Sequence, residues 1–183
     1  MKSNDPIVVV PYDPTWPDLF ARLAKDMRAA LGDVALRIDH IGSTSIPQLA
    51  AKPVIDIQIS VAAFAPLEAF CVPLESLGYV FRSENTELTK RYFRESPGQR
   101  RTHIHVRRAG SFSEQLALLF RDFMCTHPQA AEQYAQLKYK LAQRYRDNRE
   151  AYVEAKQLFI WNVIAQASDW SQDIGWKPGP SDA

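Results

Sequence analysis

The sequence predicts an α/β (α+β) protein in which a mixed β-sheet is flanked by helices and followed by a C-terminal helical segment. Two patterns predict this class. Residues 54–61 alternate strictly between apolar and polar, as in a half-buried strand, whereas from Ser113 onward apolar residues recur at helical spacing. Strands first and helices last are typical of layered α/β architectures. A chain of 183 residues that is 46% hydrophobic and 23% charged suits one globular domain.

The first predicted elements lead into a polar turn. Apolar residues at helical spacing predict a helix over residues 16–31, with Thr15 as its N-cap and Gly32 as the residue that ends it. A strand over residues 35–41 follows and runs directly into the Gly-Ser-Thr-Ser turn at 42–45. We therefore expect this turn to lie at the end of a strand.

The remaining elements follow from the same periodicities. The predicted strands cover residues 54–61, 79–81, 91–93 and 102–106, and the predicted helices cover residues 64–77, 113–125, 129–146 and 148–168. We expect a single domain over residues 1–168, with a sheet part at about 7–110 and a helical part at about 113–168. The tail at 169–183 is rich in Gly and Pro near its end, which predicts a loosely held segment.

Composition narrows the class of partner. The chain has 22 Lys and Arg against 21 Asp and Glu, so its charge gives no reason to expect nucleic-acid or membrane binding. Residues 1–6 show no basic region leading into a long apolar stretch, as a secretory leader would. The two cysteines, Cys71 and Cys125, show no metal-type spacing and are expected to be free thiols. The sequence therefore predicts a cytoplasmic protein.

The Gly-Ser-Thr-Ser turn is the first candidate site. Gly42 at a strand end lets backbone amides approach a ligand closely, and Ser43, Thr44 and Ser45 add hydroxyl groups. A helix beginning after the turn would favour an anion such as phosphate at its N-terminus, and Lys52 downstream would neutralise that anion. The alternative interpretation is an ordinary polar turn.

Two strands supply the second group of candidates. Asp56 shares one strand face with Gln58 and Ser60, and a carboxylate is disfavoured in a strand unless it has a partner or meets water. His103 and His105 share one face of a later strand, because strand side chains alternate with a period of two. Such a pair binds a metal, moves a proton or holds a phosphate. The alternatives are solvated strand faces with no site.

Among the helical residues, Lys156 is the candidate for reaching a ligand. It lies one helical turn from Tyr152 on the same predicted face. The other helical charges, Lys138 and Arg121 among them, are expected to be solvated.

A longer set of motifs resembles a known family. The run His40-Ile-Gly-Ser-Thr-Ser-Ile-Pro-Gln-Leu-Ala-Ala-Lys-Pro-Val-Ile-Asp-Ile resembles the signature of the GrpB-like family, which belongs to the nucleotidyltransferase superfamily. Four further segments match, over roughly residues 7–168: Tyr12-Asp-Pro-Thr-Trp-Pro, Thr102-His-Ile-His-Val, Phe120-Arg-Asp-Phe and Tyr152-Val-Glu-Ala-Lys. The resemblance implies a nucleotidyltransferase-like fold in which Gly42 and Ser43 hold nucleotide phosphates and Asp56 holds a divalent cation.

The chain departs from the superfamily pattern at the carboxylates. Gln58 stands where the pattern has a second carboxylate, and His103 and His105 occupy a strand where a third is expected. One Asp with two His better suits a single softer ion, or no metal, than a pair of hard cations. Mg²⁺, Mn²⁺ and Zn²⁺ therefore remain alternatives.

Three functions compete at this stage. The first is a metal-dependent transferase acting on a nucleotide or another phosphorylated small molecule, with Asp56, His103 and His105 as catalytic and metal-binding residues. In it Gly42 to Ser45, Lys52 and Lys156 bind phosphate. The second is a module that binds such a molecule without chemistry. The third is a domain that docks a nucleotide-using protein partner through its C-terminal helices.

Overall fold

The computed structural model describes residues 6–183, so the N-terminal residues on which the expectation of no leader partly rests lie outside it. The strands are β1 Arg37–Ile41, β2 Ile55–Val61, β3 Tyr79–Phe81, β4 Arg91–Glu95 and β5 Thr102–Arg108. The helices are α1 Trp16–Leu31, α2 Glu68–Ser76, α3 Phe112–Thr126, α4 Pro128–Arg144, α5 Arg149–Glu154 and α6 Gln157–Ile174. Short 3₁₀ turns span Gly32–Val34 and Ser43–Ser45.

The strands form one mixed sheet with the order β1-β2-β5-β4-β3. Within residues 6–183, strands β2 and β5 pair in parallel. The other three neighbouring pairs are antiparallel. In the parallel ladder Asp56 lies opposite His103, and Gln58 lies opposite His105. The predicted mixed sheet is confirmed.

One face of the sheet carries the main hydrophobic core. The apolar positions of β2, which the alternation assigned to the core, pack there with side chains of α1 and α2. Burial of these side chains stabilises the fold by about 1.5–3 kcal/mol each relative to exposure. The principal members are Trp16, Phe20, Met27, Ile55, Ile57, Ile59, Phe70, Leu74, Phe93 and Ile104.

The helices α3 to α6 form a second layer with its own core. Phe123, Tyr134 and Val163 pack there with Ile46 and Leu49 from the segment that follows the polar turn. The sheet face opposite α1 and α2 therefore has two parts: α3 covers the β2 end that carries Ser60, and the end that carries Asp56 faces a cleft.

The last predicted helix, residues 148–168, is two helices. Near residues 155–156 the backbone hydrogen bonding changes from α-helical to 3₁₀ spacing, since Lys156 N–H donates to the Val153 carbonyl three residues back. The break places Lys156 at the start of α6, and α6 continues beyond the predicted end to Ile174.

The C-terminal tail differs from the loosely held segment expected for residues 169–183. Its last residues lie along the outer edge of β1, where Ile38 N–H donates to Ser181 Oγ at 2.8 Å and His40 N–H donates to Asp182 Oδ2 at 2.8 Å. Arg121 Nη1 also donates to Asp182 Oδ2, at 2.7 Å. The edge strand has free backbone groups, and polar side chains of the tail satisfy them.

We expect Asp182→Ala to speed hydrogen exchange of the His40 amide by about tenfold, because that amide loses its acceptor. Exchange measured by NMR checks this. Asp173→Ala, at an exposed position on α6, is the matched control and should leave the His40 amide unchanged. Equal protection in both variants would show that the tail does not bind the edge.

Candidate functional site

The parallel ladder brings three candidate ligands together. His103 Nδ1 lies 3.0 Å from Asp56 Oδ1, and His105 Nε2 lies 3.5 Å from the same oxygen. One donor atom from each residue lies within 4.8 Å of the others, close enough for all three to hold one metal ion. The structure thus places the predicted residues Asp56, His103 and His105 in a single cluster.

Gly42 is required for this arrangement. Its φ of +72° and ψ of −170° are rarely adopted by residues with a side chain. A Cβ at this position would lie 2.7 Å from Asp56 Oδ2 and 3.0 Å from Asp56 Cβ. The glycine therefore lets the polar turn pack directly against the carboxylate.

Asp56 and His105 are held in the protonation states that bind metals. Burial opposes the charge on Asp56, but hydrogen bonds with His103 and His105 outweigh burial and keep the pKa of this carboxyl well below its usual range. Burial lowers the pKa of His105 to about 4, so its imidazole is neutral near pH 7. An ionised carboxylate and a neutral imidazole bind cations without first losing a proton. The donor set fits a divalent ion.

Gln58 does not belong to the cluster. Its Oε1 accepts a hydrogen bond from Arg107 Nη1 at 2.5 Å, and its Nε2 donates to the Glu114 carbonyl at 3.4 Å. The neighbouring Ser60 hydroxyl donates to the buried Glu114 carboxylate. The guanidinium beside Gln58 makes this position unfavourable for a cation. The available ligand set is therefore one carboxylate and two imidazoles.

Lys52, Lys138 and Lys156 line the same cleft as the cluster and form its basic wall. The cleft has a volume of about 1450 Å³ and is lined by the three cluster residues and by side chains of α4, α5 and α6. Lys52 and Lys156 lie on the Tyr152 ring, with their Nζ atoms 5.3 and 4.4 Å from its centroid. Lys138 lies on the Tyr134 ring at 4.5 Å. Ammonium groups over aromatic faces are held in place without a carboxylate.

These lysines lose part of their charge to burial. Burial and neighbouring cations lower the pKa of Lys52 to about 8 and that of Lys138 to about 7. Burial also lowers the pKa of Lys156 to about 8, although Asp56 opposes the shift. An anion in the cleft would restore the full charge of all three.

Among the turn residues, Ser43 has a different position from Thr44 and Ser45. Ser43 lines the cleft and interacts with the Tyr134 hydroxyl. Thr44 is buried and donates to the Val54 carbonyl at 3.2 Å, and the Ser45 hydroxyl donates to the Gly42 carbonyl at 2.6 Å. Both of these hydroxyls stabilise the turn itself. The anticipated helix after the turn is a three-residue 3₁₀ turn, too short to provide a helix dipole.

Lys138 was expected to be solvated and is instead 2% exposed, so that expectation is wrong. The sequence does carry a signal for it: Tyr134, Lys138 and Leu141 follow helical spacing on the buried stripe of α4. Sequence reasoning also left out Tyr92 and Arg149, which line the cleft from β4 and α5. Their positions depend on strand and helix packing across long chain separations.

Fold and site together define a nucleotidyltransferase-like α/β protein with a polar cleft on one face of its sheet. Residues 6–166 match the family described as GrpB protein, and the chain belongs to this family. The resemblance of the motifs is thereby confirmed.

Similar proteins agree with this assignment. A UPF0157 protein of Pseudomonas aeruginosa is 39% identical over 90% of this chain and 69% of its own length. The crystal structure of the conserved protein GrpB from Enterococcus faecalis has a TM-score of 0.81 and 32% identity, covering 89% of this chain and 99% of that one. A dephospho-CoA kinase of Mycolicibacterium paratuberculosis is 34% identical over 96% of this chain, which spans 49% of that relative's length.

The chain spans 48% of a further relative, the UPF0157 protein YqkA of Bacillus subtilis, at 32% identity.

The helices of residues 6–183 are all too short or too polar to cross a membrane.

We expect Gly42→Ala to destabilise the fold by about 3 kcal/mol, the sum of backbone strain and the clash with Asp56. Urea unfolding measures the loss. Gly98→Ala is the control, because Gly98 has a φ of +83° and open space around its Cβ position. It should cost about 1–2 kcal/mol from strain alone. Equal losses would contradict close packing of Gly42 on Asp56.

We expect acid to destabilise the protein through His40, which stacks on Phe20 at 4.7 Å. Burial lowers the pKa of His40 to about 4, below its ordinary value of 6.5. The unfolded chain therefore binds a proton that the folded chain does not as pH falls from 6.5 to 4, and stability decreases by roughly 3 kcal/mol.

Urea unfolding at pH 7 and pH 4.5 checks the effect of His40. His40→Leu should reduce the loss between the two pH values, leaving the contribution of His105. A loss unchanged by the substitution would show that His40 titrates normally.

Proposed function

We propose that the protein binds a phosphorylated small molecule, a nucleotide being the first choice, together with one divalent cation, and transfers a phosphorus-containing group. The observation that carries the proposal is that the Asp56 cluster and the lysines of the basic wall line the same cleft, where Asp56 acts electrostatically on Lys52 and Lys156. A cation site and an anion site within one cleft are the arrangement that phosphoryl and nucleotidyl transfer require.

The proposed metal ligands are Asp56, His103 and His105. Two nitrogen donors and one oxygen donor favour Zn²⁺ or Mn²⁺ over Mg²⁺, which prefers oxygen ligands. Bound there, the cation would stabilise negative charge on the reacting phosphate. In the proposal the Gly42-Ser43 backbone and the Lys52 and Lys156 ammonium groups orient the phosphates.

The relatives support the substrate class. Some of them are named dephospho-CoA kinase, and these longer proteins contain a region similar to nearly the whole of this chain. The name concerns those proteins as wholes. For this chain it supports the general proposal that the cleft works with phosphorylated, nucleotide-containing molecules.

Two alternatives have observations in their favour. Non-catalytic binding is favoured by Gln58, which is bonded to Arg107 and leaves one carboxylate where metal-dependent transfer commonly uses several. Docking of a protein partner is favoured by Val153, Leu158 and Trp161, exposed apolar residues around the junction of α5 and α6.

The first test is thermal unfolding of metal-stripped protein with nucleotides, each with and without Mg²⁺, Mn²⁺ or Zn²⁺. We expect a nucleotide and Zn²⁺ or Mn²⁺ together to raise the melting temperature by roughly 5–10 °C at a hundredfold excess over Kd. Asp56→Asn should abolish the metal-dependent part, because the amide is a poorer ligand with no charge.

Asp147→Asn, at the cleft rim, is the matched control and should keep the full shift. Binding without metal, together with no turnover of any nucleotide, would support the non-catalytic module. No shift with any nucleotide or metal would contradict both phosphate-based functions and leave partner docking.

A further inference from the structure

We propose that Lys52, Lys138 and Lys156 form a pocket for a dianionic phosphate monoester, and that this pocket binds its ligand without metal. All three lysines line the cleft, where Lys52 and Lys156 lie on the Tyr152 ring and Lys138 lies on the Tyr134 ring. The inference rests on the proposed function, because it identifies a terminal phosphate as the part of the substrate that these lysines recognise.

The surroundings of Lys138 are the observation that indicates a site for an anion. Its side chain lies in the cleft lining and is 2% exposed, and its Nζ makes no hydrogen bond within residues 6–183. The charges that act on it are the ammonium groups of Lys156 and Lys52. A buried ammonium group with an aromatic contact but neither a hydrogen-bond acceptor nor a counter-ion is unfavourable unless a ligand supplies them.

The other two lysines complete the pocket. Tyr152 is fully buried and contacts both Lys52 and Lys156, so one aromatic ring helps to set the positions of both ammonium groups. Asp56 is the acidic group that acts on them, and its carboxylate already accepts from the two histidines. Apart from Asp56, the charged groups that act on the three lysines are cationic.

The number of charges selects the kind of ligand. Three ammonium groups provide many N–H donors and compensate two negative charges better than one. A phosphate monoester carries close to two negative charges at neutral pH, whereas a diester carries one. The pocket therefore favours a terminal phosphate over the interior of a nucleic-acid backbone.

Binding should also be accompanied by proton uptake. Lys138 faces Lys52 and Lys156, and these two also face Arg149 and Asp56, with Arg101 acting on Lys52. Tyr134 and Tyr152 remain neutral because burial raises their pKa values. A dianion raises the lysine pKa values, so protons enter the pocket with the ligand at pH 8.

The test is titration calorimetry of the metal-stripped protein, residues 1–183, in EDTA, at pH 8, in two buffers of different ionisation enthalpy. Inorganic phosphate and phenyl phosphate should bind with proton uptake, and dimethyl phosphate should bind about tenfold or more weakly. Lys138→Met should weaken phosphate binding by about tenfold or more.

A second readout separates a binding role from a structural role. Without ligand, Lys138→Met should raise the melting temperature by about 2–4 °C, because a buried unpaired charge is replaced by an apolar side chain. Lys140→Met, at an exposed position two residues along the same helix, is the control and should change neither value. Lys156→Met provides a second variant with the same expected loss of phosphate binding.

Absence of phosphate binding in EDTA would overturn the pocket, and so would unchanged binding in Lys138→Met with a lowered melting temperature. If nucleotide and metal together still raise the melting temperature in either case, the proposed function is retained and only the phosphate pocket is rejected. If phosphate binds in EDTA and no metal-dependent shift occurs, the pocket stands without the metal site.

Discussion

The parallel pairing of β2 with β5 determines the rest of the candidate site. It sets Asp56 beside His103 and Gln58 beside His105, while the intervening isoleucines enter the core below the sheet. Strand side chains alternate, so a shift of one residue would put isoleucine where the carboxylate stands and bury the carboxylate in the core. Burial of the isoleucines and assembly of the polar cluster therefore require the same register between β2 and β5.

The two layers supply opposite charges to the cleft. The sheet offers a carboxylate held ionised by its histidines, and the helical layer offers lysines held on tyrosine rings. Buried ammonium groups reduce stability in the free protein, and such a cost is typical of binding sites prepared for a ligand.

Much of the fold was predictable because its signals are local. Alternation assigned Ile55, Ile57 and Ile59 to the core, and the same rule placed His103 and His105 on one face. Which strand β2 pairs with depends on contacts far apart in sequence, so the proximity of Asp56 to the histidines was implied by the motif resemblance and not by periodicity.

Other features escaped prediction for identifiable reasons. Taken alone, Lys138 of α4 has the pattern of an ordinary solvated helical lysine. Its burial is indicated only by the whole apolar stripe of α4 to which it belongs. Lys156 was found, but the break before α6 that presents it to the cleft has no Gly or Pro to mark it. The tail was missed because its partners lie about 140 residues away and bind it through side chains.

The docked tail has a consequence for how this protein meets other molecules of its own kind. Ser181 and Asp182 place oxygen atoms where a neighbouring strand would place carbonyls, so the outer edge of β1 offers no open row for another strand. The opposite edge is β3, which is three residues long. A sheet with one occupied border and one very short border resists growth by strand addition. The protein can therefore keep an apolar, β-rich centre while remaining a poor template for fibrous self-association.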